Sequence, residues 1–158
     1  MIRIVVAAAL AVLASGAAHA EWQYTRWGMS PDDVLKASKG AARIVVEVKP
    51  APGVVYPGLK GHHRAGQTAF ETRFFFNENQ LARIDLLPDR RSPVAAERVE
   101  TRLRERYGDP VSETVGEGAR VLEWRDEPRR NRILLQVDDR STEPVAVLSI
   151  MALEADEG

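Results

Sequence analysis

The sequence contains no cysteine. Disulfides, thiol redox chemistry and cysteine-ligated zinc are excluded, so packing alone must hold the chain together. Histidine is scarce at three residues, and no His-x-x-x-His spacing occurs. There is no Gly-x-Ser-x-Gly elbow to present a nucleophilic serine. Gly116-Glu117-Gly118 lacks the third glycine and the following helix of a phosphate-binding loop. An excess of one charge is also missing, since 22 Lys and Arg stand against 23 Asp and Glu. That balance argues against a dedicated binder of nucleic acid or anionic membrane.

What is present begins with an address. Arg3 precedes an apolar run from Ile4 to Leu13, Gly16 breaks it, and Ala18-His19-Ala20 has the small-x-small form of a cleavage site. Ten apolar residues are too few to cross ~30 Å of hydrocarbon as a helix. Residues 1–20 therefore read as a signal peptide cleaved after Ala20, leaving 138 of the 158 residues. Residue 21 is Glu, so the mature N-terminus carries no thiol for a lipid. The expected location is the periplasm, or secretion, with no stable membrane insertion after cleavage.

The chain is organised around Trp27-Gly28-Met29-Ser30-Pro31-Asp32-Asp33-Val34. Ser30 suits the N-cap, Pro31 the first helical position, and Asp32 and Asp33 the positive end of the helix dipole. Met29 and Val34 hold the two staple positions. A helix from Pro31 to about Ser38 follows, ended at Gly40, and Ile44 to Val48 reads as a strand. A second Ser-Pro, Ser92-Pro93, opens a helix to about Tyr107, with Ala95, Val99, Leu103 and Tyr107 as its apolar stripe. Gly108 and Pro110 end it.

Between the helices, Thr68–Phe76 and Leu81–Leu87 form a hairpin turned at Asn77–Gln80. Phe70, Thr72, Phe74 and Phe76 share one face of it, as do Ala82, Ile84 and Leu86. Later strands centre on Leu122 and Trp124, on Ile133, Leu135 and Val137, and on Val145–Ala152. Residues 21–153 thus read as one α+β domain of two tandem helix-plus-antiparallel-strands units, about 22–88 and 92–153, with both helices on one face of the sheet. Residues 154–158 read as a frayed tail.

Pro50 to Gly66 fits neither pattern. Proline and glycine punctuate it, with Val54, Val55, Tyr56 and Leu59 between them. It reads as a long loop whose apolar residues favour a hairpin or flap, and loops of that length in compact domains are functional or disordered. Once the signal is removed, the remaining histidines, His62 and His63, both lie there. Tyr56, His62, His63 and Arg64 are the candidate partner-binding residues.

Gly28-Met29-Ser30 with Val34, and Tyr107-Gly108-Asp109-Pro110 leading to a strand with Trp124, resemble the helix entry and exit of small periplasmic α/β proteins. That group includes the β-barrel assembly lipoprotein of the small-protein-A type. The tandem pattern is also similar to the β-lactamase inhibitory protein. The chain departs from the first in lacking a lipid-bearing cysteine and from the second in lacking disulfides.

The expected function is a non-catalytic binding or assembly module of the envelope, acting through a sheet face or the 50–66 loop. Its expected partner is another envelope protein, with no nucleic acid and no cofactor. The alternatives are a small metal-dependent enzyme using His62 and His63, and an inhibitor of an envelope enzyme.

Overall fold

A computed structural model describes residues 21–45, 57–140, 142 and 145–154. The expected signal peptide with its cleavage site, Tyr56, the 46–56 part of the expected strand and loop, and residues 155–158 lie outside the described residues. The order is β1 (Glu21–Trp22), β2 (Thr25–Arg26), α1 (Pro31–Ser38), β3 (Ala42–Ile44), β4 (Leu59–Ala65), β5 (Thr68–Asn77), β6 (Gln80–Pro88), α2 (Pro93–Tyr107), β7 (Ser112–Gly116), β8 (Ala119–Asp126), β9 (Asn131–Asp138) and β10 (Val145–Ala152). A 3-10 turn, Glu127–Arg129, joins β8 to β9.

The expectation of an α+β fold built from two tandem helix-plus-antiparallel-strands units is overturned. Strands dominate, and β3 to β10 form one continuous antiparallel sheet of eight strands in the order β3-β4-β5-β6-β10-β9-β8-β7. Among the described residues, only two short α-helices, of 8 and 15 residues, accompany it. The physical reason is the central pair. Left apart, β6 and β10 would each present an unpaired backbone edge and an apolar face to water. Paired, they align Leu86 with Leu148 and Ile84 with Ile150. Two strands also went unanticipated: β4, inside the expected loop, and the exposed edge strand β7.

The helix starts follow their local chemistry. The hydroxyl of Ser30 accepts from the Asp33 N–H at 3.2 Å, and that of Ser92 accepts from the Ala95 N–H at 3.1 Å. Such caps contribute about 1 kcal/mol each. On α2 the buried residues are Ala96, Val99 and Leu103, and the expected Ala95 and Tyr107 are half-buried. A strict four-residue repeat rotates about 40° around a 3.6-residue helix at each step, so it drifts off the packed side.

A similar correction applies to β6. The pairing shifts between Phe75 and Phe76, so that Phe75 faces Arg83 and Phe76 faces Leu81. The unmatched residue is Ala82, which is exposed, while Leu81 enters the core. A bulge resets the two-residue alternation in this way.

One core gathers the inner sheet face. Trp124, Phe74, Leu59, Ile84, Leu122, Leu135 and Val137 join Val34 of α1 and the buried stripe of α2. The indole N–H of Trp124 donates to the carbonyl of Gly108 at 3.0 Å, tying the exit of α2 to β8. The opposite sheet face carries ion pairs, among them Lys60–Glu71, Arg83–Asp85 and Arg132–Glu123.

The bulge separates two neighbouring substitutions. Ala82→Lys is expected to change stability by less than about 0.5 kcal/mol. Leu81→Lys buries a charge and is expected to cost more than about 3 kcal/mol in chemical denaturation. The reverse order would contradict the register.

Candidate functional site

The helices leave part of the inner face uncovered. α2 packs over β8 and β10, whereas α1 packs against β2 and β3. The β1–β2 hairpin is fastened at the other side: Gly28 N–H donates to the Leu81 carbonyl at 3.1 Å, and Leu81 N–H to the Met29 carbonyl at 2.8 Å. Between hairpin and helix lies a cleft of about 780 Å³. Phe70, Leu86, Ile133, Leu148 and Ile150 lie along its floor, and Trp22, His63 and Tyr107 form its walls.

His63 reaches the cleft because β4 is a strand. Its side chains alternate, which places His63 on the inner face beside Phe70, while His62 and Arg64 are exposed on the other. The two histidines therefore do not converge. Among the described residues, no group of three His, Asp or Glu side chains is arranged to hold a metal ion. The His63 ring meets Trp22 edge-on at 5.4 Å and stacks on Phe70 at 6.3 Å. The side-chain amide of Gln23 lies against its Nδ1. Burial pushes the imidazole below its ordinary pKa.

The far wall is polar and braced. The hydroxyl of Tyr107 lies 3.4 Å from Asp126 Oδ2, and burial raises the phenol above its ordinary pKa. Arg129 donates to Asp126 Oδ2 at 3.2 Å. The indole of Trp27 donates to Asn131 Oδ1 at 3.0 Å, linking the N-terminal segment to β9. Asp126 and Asn131 are both buried, and each is thereby committed to structure.

Two cations are left over. Arg102 and Arg106 line the cleft one turn apart on α2. Neither forms an ion pair among the described residues, although Arg104 on the same helix binds Glu100 and Asp109. The guanidinium of Arg102 rests against Gly66, in the turn between β4 and β5, and Gly66 has a φ of +58°. A side chain there would both strain the backbone and displace the arginine. Arg106 lies over the Tyr107 ring at 5.3 Å.

Of the expected partner-binding residues, only His63 lines this cleft. His62 and Arg64 face away, and Tyr56 lies outside the described residues. Sequence reasoning missed Trp22, Arg102, Arg106 and Tyr107 as site residues. A signal was available in α2: Arg98, Arg102 and Arg106 repeat every four residues. Like charges at that spacing repel by a few tenths of a kcal/mol, unlike a salt-bridged face.

No family model matches the chain, and comparison with curated proteins and with solved structures finds no match.

The state of His63 has a consequence for pH. A folded-state pKa held below the ordinary value of about 6.5 makes a contribution to stability that is fully present above about 6.5. It is lost as pH falls through the folded value. An NMR titration should place His63 below about 6.5, and His63→Gln should flatten the pH dependence of unfolding in that window. Titration at or above the ordinary value would contradict the burial.

Proposed function

We propose that this protein is a non-catalytic binding module of the cell envelope, and that the cleft between α2 and the β1–β2 hairpin receives part of another envelope protein. The observation that carries the reading is the combination of apolar floor, aromatic walls and two arginines without ion pairs among the described residues, all in one cleft. Binding sites combine an apolar lining with a few directed polar groups in this way. Aromatic residues and arginine are also the types that dominate recognition surfaces.

The polar groups of the cleft support binding over turnover. Within it, His63 contacts the Gln23 amide, and Asp126 is engaged by Arg129 and Tyr107. Each of these side chains is thus engaged by a neighbour within the protein. The address remains the one expected from residues 1–20, and the envelope assignment rests on it.

The test is site-specific photocrosslinking in living cells. Photoreactive residues at Gln23 and Glu105, on opposite rims of the cleft, should capture the same partner, and Arg106→Glu should abolish that capture. A photoreactive residue at Thr114 on the edge strand β7 should not capture it. Capture at Thr114 alone, or capture at the rims that Arg106→Glu leaves unchanged, would count against the cleft as the working surface.

A further inference from the structure

The cleft's charge narrows what enters it. Arg102, Arg106 and Arg129 line it against Glu105 and Asp126. The Asp126–Arg129 pair is internally neutralised at 3.2 Å, which leaves two arginines against one glutamate. The chain as a whole carries a net charge of −1, so this positive patch runs counter to the average. It is also held at a cost, because Arg98, Arg102 and Arg106 repel along one side of α2.

Spacing carries the argument from charge to shape. Residues four apart on a helix stand about 6 Å from one another. In an extended chain, alternate side chains share a side and are spaced about 6.6 Å apart. The positions of Arg102 and Arg106 on α2 are therefore spaced like two alternate positions of an extended segment. Guanidinium groups favour carboxylates through paired donors. Next to them, Trp22, His63, Ala65 and the half-buried Leu148 offer an amphipathic pocket for a neighbouring apolar or aromatic side chain.

From this we infer that the cleft binds an extended acidic peptide segment, with acids at alternate positions beside one apolar or aromatic anchor. The inference rests on the cleft being the working site, as proposed above. Arg102 and Arg106 read the carboxylates, and the wall of Trp22 and His63 receives the anchor. The guanidinium of Arg102 lies against Gly66 at the turn between β4 and β5.

The probe is a displayed library of random twelve-residue peptides selected on the intact protein. Selection should enrich alternating Asp or Glu next to Phe, Trp or Leu. Fluorescence titration with an enriched peptide should show affinity falling at least about tenfold in Arg102→Glu/Arg106→Glu, and falling with added salt. Arg43→Glu, on the exposed edge strand β3 and outside the cleft lining, should bind as the parent does. Should the double reversal fail to fold by circular dichroism, Arg102→Gln/Arg106→Gln gives the same comparison, with a smaller loss.

Enrichment without acids, or equal binding by parent and double variant, would overturn the inference. Amide shifts mapping the peptide away from Trp22 and His63 would do so as well. The two readings fail separately. Rim crosslinks to a partner whose contacting segment is not acidic would leave the cleft as the working surface and remove only its acidic specificity. Absence of rim crosslinks would remove the cleft's role in partner capture, whatever the peptides show.

Discussion

The antiparallel pairing of β6 with β10 is the constraint on which the rest of the molecule depends. It aligns Leu86 with Leu148 and Ile84 with Ile150 across residues far apart in sequence. β9 and β8 extend both rows, giving Leu86–Leu148–Leu135–Leu122 and Ile84–Ile150–Ile133–Trp124. Cross-strand neighbours of this kind are where sheets gain their stability. On the other face of the same seam, the hydroxyl of Ser149 donates to Asp85 at 2.7 Å. Burial pushes that carboxyl above its ordinary pKa, against the pull of Ser149, Arg83 and Arg73.

The cleft follows from that seam and from the route of the chain around it. After β6, α2 carries the chain over the inner face to the far edge, and β7, β8 and β9 return it to β10 beside β6. The helix is too narrow to cover eight strands, and α1 is short and lies at the β3 side. The β1–β2 hairpin closes part of the remainder, with Trp22 and Tyr24 against Phe74 at 6.3 Å. The uncovered strip keeps an apolar floor because its strands belong to the core. Its rim is cationic because the side of α2 that overlooks it carries arginines instead of pairs.

Much of the local structure was legible in the sequence. Both helices carry Ser-Pro starts whose capping needs no tertiary information, Ile133, Leu135 and Val137 alternate, and Val145–Ala152 is an apolar run bounded by polar connections. What escaped were features set by distant neighbours. Gly61 looked like loop punctuation, but a side chain there would meet the Ala41 carbonyl at 2.7 Å, so the glycine marks close backbone approach within β4. Ala82 falls on the apolar face by simple alternation, and the bulge that exposes it has no clear local signature. The union of the halves into one sheet was invisible because β6 and β10 each read as an acceptable strand alone. The cleft went unseen for the same reason: Trp22, His63 and Arg106 are brought together only by the sheet.

Native-state hydrogen exchange followed by NMR tests the continuous sheet most directly. The account predicts that the amides of β6 and β10 that face each other, around Asp85 and Ser149, are among the slowest in the protein and share a single opening free energy. Rapid exchange along either strand, as at an unpaired edge, would contradict it.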